Sequence, residues 1–231
     1  PNTLVLSAEL DSIGAEFNAF TSKEYTGYYV KTPKNKIEVA IDVLSDMLIN
    51  SKFDSEEIER EKGVIIEELN MYEDNPLMHI EDVFESCLYG DTPAGWDTIG
   101  NKESILSFKR EDFIKYFQTQ YGVKSSAVFL AGNFSGREIK KLLEKKFSGI
   151  SKNNYQKKVR VVEKQSKPAC KIKTKKTDQT TLSLGFRSFP ANDKDEITLK
   201  LLSIILGGSM SSRLFIELRE RRGLAYFVRS G

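Results

Sequence analysis

The sequence predicts an α+β protein of two related domains, each a mainly antiparallel sheet packed with helices, the second truncated. Two alternating runs near the start predict a strand pair, and an amphipathic helix follows them. The order strand, strand, helix returns beyond a polar, basic segment, and 231 residues suffice for two modest cores. We therefore expect an N-terminal domain over 1–150, a linker over 151–170 and the beginning of a homologous domain over 171–231.

The first elements follow from the spacing of apolar residues. A helical pattern runs from Leu4 to Ser12, and "AEFNAFTSKEYTGYYVKT" then alternates in two runs separated by "TSKE", which predicts an antiparallel hairpin. The next stretch, "KIEVAIDVLSDMLINS", predicts a helix because its apolar residues recur at helical spacing: Ile37, Ala40, Ile41, Leu44 and Leu48.

A longer helix begins after Asp54, because Glu57 stands three residues on in the arrangement that marks a helix N-terminus. It must end before Pro76, where "PLMHIEDVFESCLY" predicts a second helix ahead of the turn-rich loop "GDTPAGWDTIGN". Helices are expected over 102–108 and 110–121, followed by a buried strand, "SSAVFLAGNF", and an amphipathic helix, "SGREIKKLLEKKFSG".

The second half repeats this style without a convincing residue-level repeat. We expect strands at "CKIKTKKT" and "TTLSLGFRSF", helices within "NDKDEITLKLLSIILGG" and "SSRLFIELRERRG", and a strand at "LAYFVRSG". The chain starts without an initiator methionine and stops directly after this last run, so we expect both ends to be cuts through a longer protein.

Composition excludes several classes of protein. With 35 basic and 33 acidic residues and 39% hydrophobic residues, the chain has the composition of a soluble globular protein. No apolar run approaches the roughly 18 residues that span a bilayer, so no membrane association is expected. Cys87 and Cys170 lack the spacing of a zinc ribbon or a disulfide framework. Free thiols and no visible export feature favour a cytoplasmic location.

The stretch from Arg137 to Lys176 carries fifteen Lys or Arg residues and three Glu. It lacks regularly interleaved aromatic residues and any recognised nucleic-acid module, so we expect a solvated helix face and a linker, and no nucleic-acid partner. Gly207 and Gly208 do not complete a phosphate-binding glycine pattern, so no phosphate site is expected.

Glu61 and Glu68 are the candidate functional pair of the long helix. Seven residues apart, they return to within roughly 20° of each other and lie about 10 Å apart along the axis. Ile58, Ile65, Leu69 and Tyr72 form the apolar stripe that they border. A carboxylate there can be a metal ligand, a hydrogen-bonded orienting group or a solvated flank residue, and spacing alone leaves all three open.

A resemblance separates these alternatives. The run "IEREKGVIIEEL" resembles the distal-ligand helix of the pitrilysin/insulinase family of zinc peptidases (inverzincins), in the branch with mitochondrial processing peptidases. In that family an inverted HxxEH motif gives two histidine ligands and a glutamate that activates water, and a later glutamate is the third zinc ligand. The resemblance implies Zn²⁺ as cofactor, Glu68 as metal ligand and Glu61 as its support from outside the ligand shell.

Three other stretches resemble the same family in the same order. "IGAEFNAFTSKEYTGYYV" is similar to its hairpin, whose edge at Asn18 and Ala19 would pair with a peptide substrate, and "DTPAGWDTIGNKESI" to its following loop. "GGSMSSRLFIELRERRGLAY" implies that Arg219 and Tyr226 contact the substrate or the oxyanion. From the residues alone, Arg219 could instead complement a helix C-terminus before Gly223, and Tyr226 could be a core strand residue.

The chain departs from the family pattern because it contains no HxxEH, and its single histidine is His79. We expect the motif just upstream of Pro1, His79 to be structural or solvated, and the 231 residues alone to be inactive. The resemblance implies a zinc-dependent metalloendopeptidase that cleaves peptides or unfolded protein segments, plausibly as a homodimer. The alternative is a non-catalytic partner or structural subunit of the same family.

Overall fold

A computed structural model of the chain describes residues 3–152, 155–162 and 165–231. It consists of two compact units, the first reaching to Ser183 and the second spanning Leu184–Gly231. Helices and one antiparallel hairpin make up its regular structure, in agreement with the predicted α+β class. The predicted linker, 151–170, lies within the first unit, and its described residues contain no helix.

The helices lie where the sequence predicts them, and most boundaries agree within about three residues. The first unit contains α1 (Thr3–Ser12), β1 (Glu16–Thr21), β2 (Thr26–Lys31), a 3₁₀ turn (Lys34–Lys36), α2 (Ile37–Ile49), α3 (Ser55–Asp74), α4 (Pro76–Tyr89), α5 (Lys102–Ser107), α6 (Arg110–Gln120) and α7 (Gly136–Lys146). The second unit contains α8 (Glu196–Gly207) and a π-helix (Phe215–Glu220).

The hairpin of β1 and β2 has the predicted antiparallel pairing. Ser22 closes its turn, since its backbone N–H donates to the Tyr25 carbonyl at 2.9 Å and its hydroxyl accepts from the Tyr25 N–H at 3.2 Å. In this register Ala19 stands opposite Tyr28. Directly opposed side chains share one face of a hairpin, so Ala19 and Tyr28 lie on the same side of it.

Side-chain caps fix the starts of α3 and α4. The Asp54 carboxylate accepts hydrogen bonds from the Glu56 and Glu57 N–H groups at 3.0 and 3.3 Å, which satisfies two donors that a helix leaves unpaired. At the other end, the Asn75 side chain accepts from the Leu77 N–H at 3.1 Å and caps α4, which starts with Pro76 at its first position. One residue therefore separates two helices.

The core of the first unit is small and helical. The buried apolar side chains of the described residues come from six helices. Among these elements α3 packs on α4 and α5, and α2 packs on α7 and on the strand β2. The buried apolar side chains are Leu10, Ala40, Ile41, Val43, Leu69, Val83, Ile105 and Ile139. Within this core α3 packs against α4 and α5, and its Leu69 is 8% exposed.

Four predicted strands do not form in the described residues: 125–134, 170–177, 180–189 and 224–231. Large apolar side chains in these runs are exposed, including Phe129, Leu182 and Phe186. A strand is stable only when a neighbour satisfies its backbone N–H and C=O groups. Apolar patterning indicates that a run can be a strand, but it does not supply that neighbour.

Several lysines of the basic stretch pair with carboxylates of the first unit. Lys158 lies 3.0 Å from Glu24, and Lys146 pairs with Asp42. Further along, Lys173 and Lys175 contact the C-terminal end of α3, at Glu73 (3.2 Å) and Asp74 (2.7 Å). The charge of these lysines is therefore partly balanced within the chain.

The cap of α3 gives a test of the fold. Asp54→Ala removes the acceptor for two helix N–H groups and is expected to cost about 1 kcal/mol of unfolding free energy. Asp54→Asn keeps an acceptor oxygen and should stay near the native value, which makes it the matched control. Urea denaturation followed by circular dichroism measures both, and equal midpoints for Asp54→Ala and the native chain would refute the cap.

Candidate functional site

The long helix α3 has one buried stripe and one exposed flank. Lys62 and Leu69 lie at the centre of the stripe and are 7% and 8% exposed. Glu61 and Glu68 lie beside it, share one face as their spacing predicts, and are both exposed. Val64, between them on the same flank, is 56% exposed. The two carboxylates therefore face solvent from one unbroken helix, free to meet a ligand.

Lys62 is a buried charge that the sequence reasoning missed. Its Nζ lies 2.7 Å from Glu59 Oε1 and 3.4 Å from the Leu106 carbonyl of α5. A buried ammonium needs such partners, since desolvation without them is costly. The signal was available: Lys62 precedes the buried Leu69 by two helical turns and follows Glu59 at helical contact spacing.

The described residues do not form a complete zinc site among themselves. Among the described residues, no three His, Cys, Asp or Glu side chains are grouped so that they could hold a metal ion. Catalytic zinc requires three protein ligands and an open position. An exposed Glu68 has the chemistry of one such ligand, so the chain fits as a contributor to a zinc site and not as its sole holder.

His79 lies in α4 beside a group of carboxylates. Its side chain is largely buried, with Nδ1 3.9 Å from Asp82 Oδ2, and the buried Nε2 has no hydrogen-bond partner in the part of the chain that the structure describes. Burial, with the nearby Asp97, raises the pKa of the Asp82 carboxyl despite the opposing charge of His79. Packing on α4 therefore encloses the imidazole, with the Asp82 carboxyl beside it.

The outer edge of β1 carries the predicted substrate-binding pair. Asn18 and Ala19 are both exposed, and within the described residues the sheet consists of β1 and β2 alone. The Ala19 N–H donates to the Asn18 side-chain oxygen at 2.8 Å. Such a contact protects an edge from chance pairing, and an incoming strand would have to displace it.

In the second unit, Arg219 and Tyr226 lie together. The guanidinium of Arg219 is 4.6 Å from the centre of the Tyr226 ring and 4.8 Å from that of Phe215. Gly223 reverses the chain between them with a positive φ of 59°, which glycine adopts without strain. Two hydrogen-bond donors from different segments therefore converge.

The surroundings of Arg219 and Tyr226 bear on whether the two residues have ordinary structural roles. Tyr226 is 83% exposed, so it is not a core strand residue. Besides the two rings, Arg219 contacts Glu220, with Nε 3.8 Å from Oε1. Arg219 also belongs to the π-helix. This form is rare, occurs mostly as a single turn and is frequently found at functional sites.

Two peptidase family profiles together match nearly the whole chain. The profile described as "Insulinase (Peptidase family M16)" matches residues 2–102, and that described as "Peptidase M16 inactive domain" matches residues 107–231. Both belong to peptidase family M16, and the second alone covers more than half of the 231 residues.

Curated relatives carry names of the same kind. The chain is 38% identical to the uncharacterized zinc protease YmxG of Bacillus subtilis, over 97% of this chain and 54% of that protein. An uncharacterized zinc protease of Streptomyces coelicolor is 32% identical over 99% of this chain and 51% of its own length. The chain thus spans about half the length of the curated relatives that it matches.

Solved structures share the fold. A peptidase M16 inactive domain from Pseudomonas fluorescens superposes with a TM-score of 0.81 at 20% identity, over 100% of this chain and 57% of that one. A protease from Helicobacter pylori gives 0.78 at 22% identity, over 98% and 56%. These likenesses confirm the predicted α+β class. Separately, none of the described helices is long and apolar enough to cross a membrane.

The raised pKa of Asp82 predicts a pH dependence of stability. The folded chain holds the Asp82 proton more tightly than the unfolded chain does, so the contribution is complete below the usual aspartate pKa. It is lost as the pH rises through the folded-state pKa. Asp82→Asn should therefore be more stable than the native chain at neutral pH, with a difference that shrinks on acidification.

Urea midpoints at pH 7.5 and pH 4 measure this difference, with Asp178→Asn, at an exposed position, as the control. A less stable Asp82→Asn at neutral pH would mean that attraction to His79 and Lys23 outweighs burial.

Proposed function

The chain belongs to peptidase family M16, the insulinase family, and on that premise we propose that it is part of a zinc-dependent endopeptidase cleaving peptides or unfolded protein segments. The observation that carries the proposal is the pair of exposed carboxylates, Glu61 and Glu68, on one flank of α3. We further propose the branch with mitochondrial processing peptidases, because the run "IEREKGVIIEEL" resembles the distal-ligand helix of that branch.

Glu68 acts in this proposal as one zinc ligand. Its carboxylate projects from a helix that Asp54 caps at its start and that packs on α4 and α5, so the backbone position of Glu68 is fixed before any ion binds. Two histidines and the water-activating glutamate of an HxxEH motif would come from outside these 231 residues. Zinc bound there would polarise the scissile carbonyl and lower the pKa of a water molecule.

Glu61 has a supporting role. It precedes Glu68 by two turns on the same flank, about 10 Å along the axis. At that separation Glu61 lies behind the ion that Glu68 would bind, rather than beside it. A carboxylate behind the ligands can accept the second N–H of a histidine ligand and fix the ring's orientation. Its exposure leaves both of its oxygens available for such a contact.

Arg219 and Tyr226 serve as hydrogen-bond donors to the substrate. Guanidinium N–H groups and a phenolic O–H suit a peptide carbonyl or the oxyanion that develops from it. The ring contacts with Phe215 and Tyr226 restrict the Arg219 side chain, which lowers the entropy lost when it binds.

Substrate binds by strand addition at the outer edge of β1. Main-chain hydrogen bonds to Asn18 and Ala19 would provide affinity for an extended peptide whatever its sequence. The exposed edge supports this mode, and the Asn18 contact to the Ala19 N–H is weak enough to be exchanged for a peptide carbonyl.

A non-catalytic subunit of the same family is the second candidate. It is favoured by the profile matching residues 107–231, which is described as an inactive domain. The presence of both Glu61 and Glu68 favours the enzyme. The reading frame of the intact protein discriminates: an HxxEH ahead of this sequence supports the peptidase, and its absence from the whole protein supports the subunit.

We further propose a homodimer without nucleic-acid or membrane partners, located in the cytoplasm. Ion pairs within the chain support the absence of a nucleic-acid partner, since Lys158, Lys173 and Lys175 of the basic stretch already have acidic partners. The free thiols of Cys87 and Cys170 suit a reducing compartment.

Substitutions on α3 test the ligand assignment in the intact protein. Glu68→Gln should abolish zinc retention and activity, because a neutral amide is a poor zinc ligand. Glu61→Gln should keep metal but lower kcat/KM by about 10- to 100-fold. Metal analysis after gel filtration and cleavage of a fluorogenic peptide measure the two effects.

Glu67→Gln is the matched control, because Glu67 is exposed on the same helix beside Glu68. It should leave both zinc content and turnover unchanged. Normal zinc stoichiometry in Glu68→Gln, or loss of zinc in Glu67→Gln, would contradict the assignment.

The 231 residues alone should show no peptidase activity, because no three candidate ligands are grouped among the described residues and the sequence contains no HxxEH. The assay is cleavage of the same fluorogenic peptide with and without added zinc, and the intact protein is the positive control. Cleavage by the isolated chain that a chelator abolishes would show that its own residues complete a metal site.

A further inference from the structure

A cavity of about 360 Å³ in the first unit has no part in the proposed peptidase site. It lies between β2, α2, α6 and the segment that joins α2 to α3. Six of its lining residues are aromatic: Tyr28, Phe53, Phe113, Tyr116, Phe117 and Tyr121. Cavities that bind small molecules are typically lined in this way, with few polar groups.

The rings present both faces and edges to one another. Phe117 stacks on Tyr121 with ring centres 4.9 Å apart, and Phe53 meets Phe117 edge to face at 5.2 Å. Aromatic pairs prefer these two arrangements, so another planar ring can join such a cluster with favourable geometry. Tyr116 is 62% exposed, which leaves the cavity open to solvent on its side.

The Phe53 wall is held in an unusual conformation. Phe53 has a positive φ of 49°, which is uncommon for a bulky residue. Arg110 of α6 fixes it, since its Nε donates to the Phe53 carbonyl at 2.7 Å and its Nη2 to the Lys52 carbonyl at 3.1 Å. Strain of this kind persists where surrounding contacts hold it, often at ligand sites.

One side of the cavity is polar. The hydroxyls of Tyr28 and Tyr121 lie 3.2 Å apart, and burial raises the pKa of Tyr121. Thr26 also hydrogen-bonds the Tyr121 hydroxyl, so the capacity for a further polar group lies at the Tyr28 hydroxyl, which can both donate and accept.

We propose that this cavity binds one aromatic ring with a polar edge, a phenol or an indole, from a free small molecule or a peptide side chain. Its volume exceeds the roughly 150 Å³ that suffices for benzene and lies near the lower end of the range for ligand pockets. Ring contacts with Phe53 and Phe117 supply the affinity, and the hydroxyl pair selects the polar edge.

Titration of the intact protein with p-cresol tests the proposal. Met47 lines the cavity, so its labelled methyl group should show a saturable NMR shift. Tyr28→Phe removes one hydroxyl and keeps the ring, so it should weaken p-cresol about two- to tenfold and leave toluene unaffected. Tyr29→Phe is the matched control, because adjacent strand residues point to opposite faces.

A second arm distinguishes the two sources of the ring. An extended peptide with one tyrosine should shift the Met47 signal more strongly than its alanine counterpart if the ring belongs to a peptide, and p-cresol alone should act if the ligand is free. The proposal is overturned if neither probe gives a saturable shift, or if Tyr28→Phe and Tyr29→Phe affect p-cresol equally. The measurement needs no metal or turnover, so its failure leaves the peptidase proposal standing.

Discussion

Burial of one stripe of α3 determines where its carboxylates point. Leu69 packs into the helical core, and Lys62 is held there by Glu59 and the Leu106 carbonyl. A rigid helix with this stripe inward must turn Glu61 and Glu68 to its flank. Asp54 caps the start of α3, and Asn75, directly after α3, caps the start of α4. The position of α3 along the chain is therefore fixed on both sides.

The other candidate groups are each built by local chemistry. At the edge of β1, the Asn18 side chain occupies the Ala19 N–H until a peptide replaces it. In the second unit, Gly223 allows the reversal that brings Tyr226 onto the guanidinium of Arg219. The proposed peptidase thus draws its ligand from a helix, its peptide contacts from a strand edge and its donors from a turn.

Much of this was predictable because it depends on short-range signals. Asp54 with Glu57 predicts the start of α3, Pro76 limits its end, and the seven-residue spacing places Glu61 and Glu68 on one face. The burial of Lys62 was missed, because lysine is rarely buried and its contact with Leu106 is distant in sequence. Four predicted strands failed for the same reason, since a strand depends on a partner that its own pattern does not specify. The roles of Arg219, Tyr226, Asn18 and Ala19 came from family resemblance, because their residue types alone fit ordinary structural positions.

Anomalous diffraction at the zinc edge, from crystals of the intact protein, tests the central claim most directly. The account predicts an anomalous peak with a Glu68 carboxylate oxygen at about 2.0 to 2.2 Å, the usual distance for a zinc-bound carboxylate. A zinc ion bound elsewhere in the protein, with the Glu68 carboxylate outside its coordination sphere, would contradict it.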